Sequence, residues 1–207
     1  MNRPEKLNAI STLMRQEFVT AIEKVRSDDA TKVLIITGAG RGFCAGGDVN
    51  GMQARLTGQE EEQSFSVIAE NMRTPGTQLQ SLDKPVIAAV NGVAAGMGIA
   101  LALRSDFRIA SDNARFAFAF VRRGLIPDSG ITWLLPRMIG MSKALDIMYS
   151  GDTIDAKEAE RSGLADKVVP AEVLMEEVWR KACRLAKGPS VALGLIKRAA
   201  YNGMHND

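Results

Sequence analysis

Side chains that move protons near neutral pH are scarce in this chain. It has one histidine, His205, and two cysteines far apart, Cys44 and Cys183. A Ser–His–Asp triad, a Cys–His pair and a His-rich metal site all lack their parts, so no metal is expected. Acid–base chemistry falls to a carboxylate. The other candidate is the main chain. Gly38-Ala39-Gly40-Arg41-Gly42-Phe43-Cys44-Ala45-Gly46-Gly47-Asp48 contains five glycines, and Gly96 and Gly98 flank Met97 in the first turn of an expected helix. A bare helix start offers unpaired N–H groups and the positive end of the dipole, which together suit an anion. The same glycines would also let a helix pack closely on its sheet. Composition leaves both readings open.

These glycines need elements to hold them. Val86 to Val90 is a continuous apolar run, as in a strand buried on both faces. Asn91-Gly92 turns the chain, and the Ala- and Leu-rich stretch that follows, uncharged up to Arg104, reads as a buried helix. Earlier, Ser11 is a candidate N-cap for an amphipathic helix over 11–27, with Met14, Phe18, Ala21, Ile22 and Val25 at helical spacing. The β-branched run Val33 to Thr37 is a short strand entering the first glycine loop. A helical turn capped by Asp48 is expected over 48–56, and a helix over 60–82 broken near Pro75-Gly76.

Beyond Arg104, 107–110 and 115–118 are short strand candidates. A loop over 122–130 leads to a helix over 129–135, for which Asp128 would make a common N-cap. Residues 142–149 are helical, Asp155-Ala156-Lys157-Glu158 resembles a capping box, and Gly163 ends its helix. Residues 165–169 form an edge-like strand, Pro170 starts a helix reaching Lys187, and a last helix follows from Ser190. Strands alternating with helices give an α/β domain with parallel pairing.

The bulk properties exclude more than they assign. A 207-residue chain with 46% hydrophobic and 24% charged residues is ordinary for one globular domain. A net charge of +2, with basic residues scattered, makes no case for nucleic acid. No apolar run approaches a membrane span and Met1 to Lys6 lacks a signal-peptide core. Two distant cysteines suit a reducing, cytoplasmic location. Gly40-Arg41-Gly42-Phe43-Cys44-Ala45 outlines a dinucleotide fingerprint with Glu60 twenty residues on, yet its glycines continue a loop instead of opening a helix.

Several stretches, spread in order over most of the chain, resemble the enoyl-CoA hydratase/isomerase (crotonase) family. They are Asn2-Arg3-Pro4-Glu5-Lys6-Leu7-Asn8-Ala9, Gly42-Phe43-Cys44-Ala45-Gly46-Gly47-Asp48, Lys84-Pro85-Val86-Ile87-Ala88-Ala89-Val90-Asn91-Gly92, and Ala95-Gly96-Met97-Gly98. Ser105-Asp106-Phe107-Arg108-Ile109-Ala110-Ser111 and Gly124-Leu125-Ile126-Pro127 follow. The resemblance implies an α/β fold, a ββα spiral with a helical C-terminal region: a core over 1–140 and an incomplete helical region over 141–207. It also implies a strand pair ahead of Asn2 and further helices after Asp207. It implies an acyl-CoA thioester as partner, a homotrimer or homohexamer, and no cofactor beyond the coenzyme A carried by the substrate. The N–H groups of Gly47 and Met97 would form an oxyanion hole for the thioester enolate, with Lys6, Leu7, Ala9, Cys44, Ala45, Gly46 and Gly96 along the bound molecule.

Family hydratases carry two water-activating glutamates; the matching positions here are Ala100 and Phe120, which cannot transfer a proton. Family isomerases place a catalytic aspartate where this chain has Asp128. The string from Gly124 to Arg137 is most similar to 1,2-epoxyphenylacetyl-CoA isomerases, relatives of the Δ3,Δ2-enoyl-CoA isomerases. The resemblance therefore favours an isomerase with Asp128 as acid and base. The alternatives are a hydratase and a non-catalytic acyl-CoA-binding member. For Asp48 a capping role is expected, and for Asp83 and Asp106 a structural one.

Overall fold

The computed structural model describes residues 1–48 and 75–204. The turn expected at 48–56, most of the helix expected at 60–82, and His205 lie outside them. Among the described residues, eight strands form two four-stranded sheets. In chain order they are β1 (Leu34–Ile36), β2 (Gly42–Cys44), β3 (Val86–Val90), β4 (Val93–Ala95), β5 (Phe107–Ser111), β6 (Arg115–Ala117), β7 (Thr153–Asp155) and β8 (Lys167–Val169). The first sheet runs β1-β3-β5-β8 and the second β2-β4-β6-β7. Successive strand pairs thus give one strand to each sheet, which winds the chain as a spiral. All neighbours are parallel except β6 and β7.

Helices α1 (Thr12–Ser27), α2 (Pro75–Gln80) and α3 (Met97–Leu103) precede β5, and α4 (Ile131–Ile139) and α5 (Met141–Ser150) precede β7. Helix α6 (Ala156–Ser162) lies between β7 and β8, and α7 (Leu174–Ala186) and α8 (Ser190–Gly203) end the described chain. Strand β3, central between β1 and β5, is buried at all five positions because both its faces are covered: Val86, Ala88 and Val90 enter one core and Ile87 and Ala89 another. The main core gathers Phe43, Phe116, Phe118, Ile99, Leu101, Ile131 and Leu135. A smaller one sets Ile87, Ala89 and Ile109 of the first sheet against Leu174, Val178 and Ala182 of α7.

Local signals held where the chemistry is local. Ser11 caps α1, its hydroxyl accepting from Met14 N at 3.2 Å. Asp155 caps α6 through Glu158 N at 2.8 Å, and Gly163 ends that helix with φ 82°. Three segments differ from expectation. Gly42–Cys44, expected as loop, is strand β2; Val93–Ala95, expected as the start of a helix, is β4; and Thr153–Asp155 is a strand that the capping signal hid. In each, pairing with a distant segment outweighs the local preference of glycine, alanine or aspartate. The helix expected at Pro170 opens as a 3-10 turn over Ala171–Val173 before α7. Among the described residues, no helix is long and apolar enough to cross a membrane.

Candidate active site

Strands β2, β4 and β6 are parallel neighbours, so their carboxyl ends lie along one edge of the second sheet. In α/β folds such an edge is where ligands bind. The segments leaving it are residues 45–48, residues 96–97 and the chain from Phe118 to Gly130. The first two touch: a Cβ placed on Gly96 would lie 3.6 Å from Gly46 Cα, and one on Gly46 would lie 3.0 Å from Ala95 O. Gly46 and Gly96 have φ of 99° and 50°, values that side chains rarely adopt.

Gly47 follows this contact on one side and Met97 on the other. Ile10 bridges to Gly47 in parallel fashion, Ile10 N donating to Gly46 O at 2.7 Å and Asp48 N to Ile10 O at 3.0 Å. Backbone groups alternate along an extended segment, so the Gly47 N–H faces away from Ile10. Gly47 is exposed, and a Cβ there would meet nothing within 4 Å. Met97 opens α3, behind an N-cap glycine with no side chain to offer, so its N–H has no partner within the helix. Gly98 has the other role foreseen for these glycines. A Cβ there would lie 2.1 Å from Cys44 O, so it allows α3 to pack directly on β2.

The Lys6–Ala9 segment lies beside the first loop, with Ala45 N donating to Leu7 O at 2.9 Å. Lys6 is exposed and Leu7 and Ala9 are half-buried. Cys44 is wholly buried, and burial pushes its thiol up to about 11; any contact with a ligand there is left to the main chain. Two asparagines whose part the residue pattern did not reveal brace this loop. Asn8, buried and at φ 58°, accepts from Arg3 N and donates to Ala39 O and Gly42 O at 2.9 and 2.7 Å. Asn91 accepts from Gly38 N and donates to Gly40 O at 2.8 Å. The visible signal was an asparagine in each motif, Asn8 before Ala9 and Asn91 before Gly92.

Asp128 occupies the segment after β6 and is exposed. It is not the cap of α4. That helix starts behind Gly130, and the Asp128 main-chain carbonyl, rather than its carboxylate, accepts from Ile131 N at 3.0 Å. The three other aspartates singled out by the sequence are occupied. Asp48 pairs with Arg3 at 3.0 Å, and Asp83 with Arg198 at 2.7 Å. Asp106 accepts from Val86 N, Lys197 and Tyr201. Asp128 has no side-chain partner among the described residues. Ala100 is fully buried in α3 and Phe120 packs against the core, so neither position supplies a proton carrier.

The family model for enoyl-CoA hydratase/isomerase matches residues 1–207. The chain is 43% identical over 207 residues to 1,2-epoxyphenylacetyl-CoA isomerase of Escherichia coli (strain K12), covering 100% of this chain and 78% of that protein. It is 40% identical to a probable enoyl-CoA hydratase of Rhodobacter capsulatus, covering 100% and 77%. Among solved structures, a monofunctional enoyl CoA isomerase from M. smegmatis superposes with a TM-score of 0.81 at 36% identity, covering 98% of this chain and 86% of that one. Sequence and fold together place the chain in the enoyl-CoA hydratase/isomerase family.

Proposed function

We propose that the protein is an acyl-CoA isomerase that moves a double bond, or opens an epoxide, in an enoyl-CoA-type thioester. The thioester oxygen would sit between the N–H groups of Gly47 and Met97, with the rest of the molecule along Lys6–Ala9 and Cys44–Gly46. The Asp128 carboxylate removes a proton from C2, and the electron pair passes through C1 to the thioester oxygen as an enolate. The acid then returns that proton to C4, so a double bond at C3–C4 becomes one at C2–C3. Two donors fixed where negative charge develops need no rearrangement during the reaction, and losing one typically costs about 10²–10³ in rate.

The observation that carries this reading is that the segments leaving one sheet edge include both glycine loops and Asp128, which has no side-chain partner among the described residues, while Ala100 and Phe120 stand where the resemblance puts the hydratases' two glutamates. A 40% identical relative called a probable hydratase keeps hydration as the competing reading. The deciding measurement is turnover of a 3-enoyl-CoA, with solvent deuterium exchange at the α-carbon, in the native protein and in Asp128→Asn. Binding should persist in the variant while turnover falls by about 10²–10⁴. Full turnover in Asp128→Asn would remove the assignment, and rapid loss of enone absorbance with crotonyl-CoA would favour hydration.

A further inference from the structure

Arg104 follows the last residue of α3, the helix whose first residue is Met97. Its side chain leaves that helix and crosses to the Asp128 turn. Nε donates to Ser129 O at 2.9 Å, and Nη1 donates to Gln80 Oε1 at the end of α2. Two glycines make room for it. A Cβ on Gly130 would lie 2.3 Å from Nη2, and one on Gly76 would lie 2.5 Å from Cδ. The turn it grips is unusual, since Ser129 at φ 53° and Gly130 at φ 79° are two successive left-handed residues. A non-glycine residue in that region costs free energy and persists only where its surroundings hold it.

We propose that Arg104 is a positioning residue: it holds the Ser129 carbonyl, and with it the direction of Asp128, relative to the helix that presents Met97. This rests on the reading of Asp128 as the acid–base group. One guanidinium, at the end of α3 opposite Met97, ties the Asp128 turn to the helix that presents the oxyanion donor. Its two acceptors are a main-chain carbonyl and a side-chain amide, and both require its directed N–H groups. An ammonium on a flexible stem has the same charge but lacks the planar fork.

The test compares Arg104→Ala, Arg104→Lys, Asp128→Asn and the double variant Arg104→Ala/Asp128→Asn, after thermal melts have shown which are folded. Isomerisation gives kcat and KM, and residual α-proton exchange is followed by mass spectrometry. Arg104→Ala should lower kcat by about 10–100-fold with KM changed less than about threefold, as expected for a misplaced reacting group. Arg104→Lys should recover part of the loss, and carries the test if the alanine variant does not fold. In the Asp128→Asn background, Arg104→Ala should cost almost nothing further. An equal loss in both backgrounds, a KM effect alone, or no loss at all overturns the positioning role and leaves the reading of Asp128 intact. Full activity of Asp128→Asn by itself overturns that reading, whatever the Arg104 variants do.

Discussion

Gly98 lies so close to Cys44 that a methyl group on its α-carbon would come within 2.1 Å of the Cys44 carbonyl oxygen. This contact seats α3 on β2, bringing the start of the helix level with the loop that follows the strand. Gly98→Ala has no flexible side chain to displace, so backbone must shift. A cost of about 1–3 kcal/mol is expected from overpacking. Gly47→Ala, in open space, should stay within about 0.5 kcal/mol of the native protein. Paired urea melts measure the difference; equal stability of the two variants would contradict the packing role of Gly98.

Asn8→Ala should destabilise by about 2–4 kcal/mol, because it removes the partner of Arg3 N and strands the carbonyls of Ala39 and Gly42. The φ of 58° adds strain for alanine that glycine would not feel. Asn8→Gly should therefore be milder than Asn8→Ala, and Asn8→Asp worse than Asn8→Gly at neutral pH, since a carboxylate cannot donate to two carbonyls. Thermal melts of the three variants give the order.

Lys197 is buried, with its ammonium donating to Leu79 O and Lys84 O at 3.0 Å and pairing with Asp106 at 2.9 Å. Lys197→Met keeps much of the side chain's bulk but leaves Asp106 and two carbonyls short of a donor. About 3–5 kcal/mol should be lost, the usual cost of breaking a buried pair from one side. A denaturant midpoint unchanged from native would rule this out.

The two thiols should differ in reactivity. Cys183 is exposed and Cys44 is buried, with its pKa pushed up to about 11, chiefly by loss of hydration. A disulfide reagent at pH 8 should modify one thiol per native chain and two after unfolding. The raised value also has a linkage sign. The folded thiol keeps its proton above the unfolded value, so the contribution is fully present below pH 9 and is lost as pH rises from 9 to about 11. Cys44→Ala should flatten that part of the stability–pH curve. Two fast-reacting thiols in the native protein would contradict the burial.

Helix ends and buried runs were legible because their causes lie within a few residues. Ser11, Asp155 and Gly163 act on backbone groups one turn away, and β3 announces itself by an unbroken apolar run. Strand β2 was not legible: Gly42 pairs with Val93, 51 positions away, and Cys44 with Ala94. Hydrogen bonds at that separation override what glycine and alanine prefer alone. The alternatives left open for Gly96 and Gly98 were likewise divided by tertiary contact, since Gly96 takes a positive φ against Gly46 while Gly98 meets Cys44.

Sequence alone fixed the chemical vocabulary. With one histidine and two distant cysteines, proton transfer is left to carboxylates, a property of residue types that needs no fold, while the glycine-rich stretches kept both an anion site and close packing open. Only the tertiary structure decided that Asp128 has no side-chain partner among the described residues, which glycine loops meet, and that Arg104 ties the Asp128 turn to α3. Those facts depend on three parallel strands delivering distant segments to one edge. A chain encodes that delivery in packing and long-range hydrogen bonds, which no short window of residues displays.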